Sequence, residues 1–405
     1  MTSVEYRLRW GARPSKPLRC DYVPGGFDSF LHRQESNTGS DGHRREANIN
    51  ILEINGTFKM VHGTLETPSI AYETWGNLNK AKTNAIMIFT GLSPSAHLAS
   101  SSQNPKMGWW EDIVGPNKPI NTNQYFVICA NSLGSCFGST GAASINPLTN
   151  THYRLDFPTL CIEDIANAGQ VLLDHLNIKV LHTVVGASMG GMTALAFCLL
   201  HPGRSKGLMS ISAAARSLPF SIAIRSLQRE IIRSDNAWKE GNYAFDKPPS
   251  KGMRLARKLG MISYRSAEEW ITRFGRERAL DQLNTPEGYS LDFEVESYLE
   301  AHANKFVGSF DANCYLYLSR AMDLFDATDY CEGQGSTLEL KGVDRASIIG
   351  VETDFLFPIQ QQMDLANCIL QDNTSVTFSS LPSVQGHDSF LVDMDRFRPA
   401  IAKFF

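Results

Sequence analysis

The stretch Leu181-His-Thr-Val-Val-Gly186-Ala-Ser188-Met-Gly190-Gly-Met-Thr-Ala-Leu constrains the fold of this chain more than any other. The run VLHTVV before Gly186 is continuously apolar and rich in β-branched residues, the pattern of a strand buried on both faces of a parallel sheet. The segment MTALAFCLLHPG reads as a buried helix that stops at Pro202-Gly203. Between them a G-x-S-x-G turn puts Ser188 at an apex. Its glycines permit a sharp, strained backbone that exposes the serine oxygen, and the Met189 amide then points to where an oxyanion would form. A serine that merely caps a helix leaves the same local pattern, so the nucleophile reading depends on partners elsewhere in the chain.

From residue 58 onward the segments FKMVHGTL, PSIAYETWG, NAIMIFTGL and YFVICANSLG read as strands, and CIEDIANAGQVLLDHL reads as a helix before the elbow strand. Strands alternating with helices predict an α/β fold with a mostly parallel sheet flanked by helices. The pattern changes after GLMSISAAA, where helices rich in Arg, Lys and aromatics suggest an inserted cap, and strands return with RASIIGVETD and SVTFSSLP. The expected organisation is an N-terminal extension over 1–57, a first core part over 58–216, a helical cap or lid over 217–335 and a second core part over 336–405.

A chain of 405 residues with 42% hydrophobic content can bury a large core. A formal charge of -4 and a pI near 6.2 offer no basic field, which argues against nucleic acid as a partner. Eight cysteines, spread without C-x-x-C pairs, read as reduced thiols. No apolar stretch is long enough to cross a bilayer and no secretory signal opens the chain, so a soluble, cytoplasmic protein is expected, with no membrane partner. Arg7, Arg9, Arg13, Lys16 and Arg19 against a single Glu5 leave a mitochondrial presequence as the alternative. The polar run from Arg33 to Ala47 reads as an exposed, mobile loop. No metal, nucleotide or flavin motif is visible, and no bound cofactor is expected.

A serine nucleophile needs a base and a carboxylate that holds the base in the right tautomer. The ends of the last two strands supply both. Asp354 follows SIIGVET, and His387 lies in the glycine-flanked loop Val-Gln-Gly-His-Asp-Ser-Phe. The chain order Ser188, Asp354, His387 is that of α/β-hydrolases. Among ten histidines, His201 sits at a helix end and His175 and His182 flank a connection, so His387 is the best-placed base. Asp388 is the competing acid, but its adjacency to His387 makes it hard for their side chains to meet. The second oxyanion donor in such a fold comes from the loop after the third strand, here Thr90-Gly91-Leu92-Ser93-Pro94, which nominates the Leu92 amide beside Met189.

GASMGGM around Ser188, the strand-end pair TDFLFP and QGHDSF, and GMRLARKLGMISY over 252–264 resemble the homoserine O-acyltransferase family of α/β-hydrolase enzymes, over about residues 58–405. GLSPSAH, NPKMGWWEDIVGP, SLPFSIAIRSLQREIIR, VESYLEAHANKFV and DANCYLYLSRAMDLFD are most similar to the serine O-succinyltransferase branch. The resemblance implies a ping-pong acyltransferase that moves a succinyl or acetyl group from acyl-CoA, as cosubstrate, to the hydroxyl of L-serine in cysteine biosynthesis. Its alternatives are a homoserine O-acetyltransferase of methionine biosynthesis or a secondary-metabolite O-acetyltransferase on the same fold, and a plain esterase is a further competitor.

The resemblance also implies that Arg257 and Asp388 bind the carboxylate and ammonium of the amino acid. That suits the chemistry of a guanidinium fork and a carboxylate. Gly91, Leu92, Ser93 and Pro94, with Thr193 after Gly-Gly-Met, point to the serine branch. A succinyl group needs a cation, for which Arg225 is the candidate, with an ordinary surface ion pair as its competing explanation. A homodimer built through the cap is implied as well.

Overall fold

The computed structural model describes residues 49–279, 291–331, 337–371 and 374–405. The basic segment 1–20, Cys20 and the polar run 33–47 lie outside the described residues. Eight strands form the central sheet: β1 Asn50–Glu53, β2 Ser69–Trp75, β3 Ala85–Phe89, β4 Phe126–Ala130, β5 Thr183–Ala187, β6 Gly207–Ile211, β7 Arg345–Val351 and β8 Ser375–Leu381. Their spatial order is β1-β2-β4-β3-β5-β6-β7-β8. β1 with β2 and β2 with β4 pair antiparallel, and the remaining neighbours are parallel.

The central strands β3, β5 and β6 are buried at every residue, which is why their sequences are mostly apolar rather than alternating, with Thr183 and Ser210 as buried polar members. Helices α1 Ile162–His175 and α2 Met189–Leu200 pack on each other, and α2 lies against β3, β5 and β6. Between β6 and β7 come α3 Pro219–Arg233, α4 Ser250–Tyr264, α5 Ala267–Phe274, α6 Glu294–Phe306 and α7 Ala312–Leu324. Pro219 opens α3 at a position whose N–H would have no helical partner. α4 packs on α3 and on α6, and α3 also packs on α7. The chain then returns to the sheet, with α8 Ile359–Cys368 against β7 and α9 Met394–Ala402 near the C-terminus.

Two segments depart from the sequence expectation. FKMVHGTL is not one strand but part of a hairpin, Thr57–Met60 against Gly63–Glu66. The turn falls at Val61 and His62, and Gly63 at φ +116 supplies a conformation that side-chain-bearing residues avoid. The turn is only two residues long and Val61 keeps the segment apolar up to it, so apolar content alone does not reveal it. β1 lies inside the segment expected to be an extension. Only Leu52 of its four residues is buried, a signal too weak to mark an edge strand.

Among the described residues no two cysteines form a disulfide with each other. Among the described residues no helix is long and apolar enough to cross a membrane, and no group of three or more His, Cys, Asp or Glu side chains is placed to hold a metal ion.

Candidate active site

The elbow is forced by sterics. Ser188 sits between β5 and α2 at φ +56, ψ −123, a strained conformation for a residue with a side chain. A Cβ on Gly186 would lie 1.9 Å from the Gly190 carbonyl oxygen, and one on Gly190 would lie 2.2 Å from the Phe89 oxygen. Both glycines are therefore required by close backbone approach. The Ser188 amide donates to Ile211 O at 2.9 Å, which ties the apex to the neighbouring strand. Met189 begins α2, so its N–H is among the helix's unpaired first amides at the positive end of the helix dipole.

The structure brings the three sequence-nominated residues into a line. His387 Nε2 is 2.8 Å from Ser188 Oγ, and His387 Nδ1 is 2.7 Å from Asp354 Oδ2. The other carboxylate oxygen of Asp354 accepts from the amides of Leu356 at 3.0 Å and Phe357 at 2.9 Å. An ionised Asp354 can only accept, so the ring proton sits on Nδ1 and Nε2 is left as acceptor for the serine hydroxyl. Burial disfavours the imidazolium, but the Asp354 charge, its hydrogen bond and the nearby Asp388 outweigh burial and the opposing Arg225. The His387 pKa is accordingly raised above its ordinary value.

A cavity of about 70 Å³ opens over Ser188, lined by Gly91, Leu92, Ser93 and Pro94 from the loop after β3, by His387 and Asp388, and by the cap residues Arg225, Gln228, Tyr264, Tyr315 and Met322. The loop after β3 is braced from below. His97 lies within hydrogen-bond distance of Glu73 Oε2, at 2.8 Å, and of Lys106 O, at 2.9 Å, and Trp109 Nε1 donates to Ser95 O at 3.0 Å.

The expected substrate residues separate on inspection. Asp388 faces the cavity, where its Oδ2 lies 3.3 Å from Arg265 Nε. Arg257 is 7% exposed but is not among the lining residues; its guanidinium lies 4.8 Å from the centre of the Phe306 ring. Its charge still reaches the site, because it lowers the pKa of Tyr264 and Tyr315 against the larger opposing effect of burial, which raises both. These two hydroxyls are hydrogen-bonded to each other and remain protonated donors at neutral pH. Arg225 is 4% exposed, so its ion pair with Asp323 is buried, not the surface pair that the sequence left as an explanation. Thr193 is inside α2, donating to Met189 O at 3.0 Å, and does not line the cavity.

Sequence reasoning missed Tyr264, Tyr315, Arg265 and Asp323, although each lies inside a segment used for the family resemblance or next to one. Their polarity on amphipathic cap helices reads as a solvated face. The cap also grips the loop that carries His387. Arg265 Nη1 donates to Gln385 Oε1 at 3.0 Å, Ser266 Oγ donates to Val384 O, and a Cβ on Gly386 would lie 2.8 Å from Ser266 N and Tyr264 O.

Comparison with known proteins adds three findings. The alpha/beta hydrolase fold pattern matches residues 84–383. Over 355 residues the chain is 51% identical to a serine O-succinyltransferase of Litchfieldella anticariensis, covering 87% of this chain and 97% of that protein. It is 54% identical over 345 residues to one from Xylella fastidiosa, covering 84% and 93%. The solved homoserine O-acetyltransferase from Bacillus anthracis superposes with a TM-score of 0.79 over 88% of this chain and 97% of that one. At 24% identity, that likeness is one of fold.

Proposed function

The chain belongs to the alpha/beta hydrolase family and, within it, to the serine O-succinyltransferases, and from that premise we propose that it transfers a succinyl group from succinyl-CoA to the hydroxyl of L-serine. The observation that carries the chemistry is the line from Ser188 Oγ through His387 to Asp354, at 2.8 and 2.7 Å. In the first half-reaction Ser188 Oγ attacks the thioester carbonyl while His387 Nε2 takes its proton. The tetrahedral oxyanion lies at the amides of Met189 and Leu92, each worth about 3 to 4 kcal/mol of transition-state stabilisation. The intermediate collapses to an ester on Ser188, and His387 returns the proton to the departing CoA sulfur. In the second half-reaction the amino-acid hydroxyl gives its proton to His387 and attacks the ester, and the product leaves with Ser188 restored.

Asp388 on the cavity wall supports recognition of the substrate ammonium. Arg257, with the Tyr264 and Tyr315 hydroxyls beside it, supports recognition of the carboxylate. Serine and homoserine differ by one methylene, which a pocket separates by about 1 to 3 kcal/mol, so weaker turnover of homoserine is expected. The reading places the reaction in the cytoplasm, as a supply of activated serine for cysteine biosynthesis. It also includes a homodimer through the cap, supported by the exposed apolar side chains of Phe220 and Leu227 on α3 and Leu255 and Ile262 on α4, two helices that pack together. A solution mass near twice 44.9 kDa is expected by light scattering, and a monomer at micromolar concentration would refute the dimer.

The deciding experiment pairs L-serine or L-homoserine with succinyl-CoA or acetyl-CoA and follows release of free thiol. Fastest release is expected with L-serine and succinyl-CoA. No amino-acid-dependent release with any pair would sink the reading.

A further inference from the structure

Arg225 lines the Ser188 cavity and is held on two of its three nitrogens. Nε donates to Asp323 Oδ1 at 2.6 Å, and Nη2 donates to Ser217 Oγ at 2.5 Å. Nη1 is buried with no hydrogen-bond partner. Because the guanidinium is planar and rigid, holding Nε and Nη2 fixes the direction of Nη1. A buried donor left unmatched is costly, and it persists where a ligand completes it.

Both holders are themselves fixed. Asp323 Oδ2 lies 2.7 Å from Arg229 Nη1, and that nitrogen donates to Ser319 Oγ at 3.0 Å. Ser217 Oγ donates to Met322 O at 2.8 Å, so its lone pairs are turned toward Arg225. Asp323, Ser319 and Met322 all lie on α7, whereas the two arginines lie one turn apart on α3. Asp323 thus shares one negative charge between two arginines, of which Arg225 alone lines the cavity, and Arg225 keeps positive charge there. A single carboxylate neutralises it.

We propose that Asp323, assisted by Ser217, is the positioning residue that sets acyl-group choice, by aiming Arg225 Nη1 at the distal carboxylate of a succinyl group bound at Ser188. This rests on the succinyl reading above. An acetyl group has no such carboxylate and leaves both the donor and the charge unmet, so the same arrangement disfavours acetyl-CoA. Asp323 touches neither substrate nor Ser188; it acts through Arg225, and the charge balance of the two arginines depends on it.

The test measures kcat/KM of the full-length protein for succinyl-CoA and acetyl-CoA with L-serine, and takes their ratio. In D323N the ratio should fall about tenfold or more through the KM for succinyl-CoA, the scale of one charge-assisted hydrogen bond, while kcat/KM for acetyl-CoA stays within about threefold. D323E should restore most of the preference, and S217A should lower the ratio by about threefold. A folded D323N or S217A with an unchanged ratio overturns the proposal, and S217A decides alone if D323N does not fold. Wild type without preference for succinyl-CoA defeats the underlying succinyl reading. Wild-type preference that is lost in R225Q but kept in D323N leaves that reading standing and removes only the role of Asp323.

Discussion

The sheet and the cap hold their functional groups by different physics. On the sheet, Ser188, Asp354 and His387 sit at or just beyond the ends of β5, β7 and β8, and the positions of Ser188 and Asp354 follow from backbone geometry: a steric requirement for glycine and amide hydrogen bonds to the carboxylate, with His387 aligned between them on a loop that the cap contacts. In the cap, Arg225, Asp323, Arg265 and Tyr264 are held by side chains from other helices or loops, in networks where each member depends on another. Backbone-set positions tolerate loss of a side-chain atom without rearrangement. Network-set positions do not, because a removed partner leaves a buried charge or donor unmet. Sheet-side changes should therefore abolish chemistry with every substrate, and cap-side changes should alter which substrate is used.

The largest expected effect is on the sheet side. Ser188→Ala should lower transfer by about 10^4-fold or more for every donor and acceptor, with the thermal unfolding midpoint nearly unchanged, since one oxygen is removed and the packing stays. Residual transfer near the wild-type rate would overturn the nucleophile assignment. Arg257→Ala tests the cap side. It should raise the KM for amino acid by about 10- to 100-fold and change that for acyl-CoA far less. Equal effects on both would place Arg257 outside amino-acid recognition.

The smallest effect is a pH dependence. His387 must be neutral to accept the Ser188 proton, and its pKa is raised above the ordinary histidine value of about 6.5. kcat/KM for the donor should thus fall on acidification with a midpoint above that value, about tenfold per pH unit beyond it. Asp354→Asn should remove that elevation while also lowering the rate. A midpoint at or below 6.5 in the wild type would contradict the raised pKa.

The two regions were also unequally legible. The buried strands, the elbow and the order Ser188, Asp354, His387 are written in local patterns, because a parallel sheet demands unbroken apolar runs and the elbow demands glycine at two positions. The hairpin at Val61-His62 is hidden by a two-residue turn inside a mostly apolar segment, and β1 by having a single buried residue. Charge chemistry nominates Arg225, but its buried clamp could not be read, because Asp323 lies 98 residues away in sequence. Arg257 comes from the family resemblance, and the pairing of the Tyr264 and Tyr315 hydroxyls within reach of its charge, like the Arg265 beside Asp388, is supplied by no spacing rule.

What the sequence determined by itself was the layered architecture and the meeting of Ser188, Asp354 and His387 in one site, since these follow from periodicity, glycine sterics and chain order. The tertiary structure alone decided which nitrogen of Arg225 is left without a partner, that Asp323 shares its charge between two arginines, and that the cap grips the loop bearing His387. The physical reason is that a buried charge is stable only beside its partners, and those partners are brought together by helix packing across about a hundred residues of chain, a distance over which local pattern carries no information.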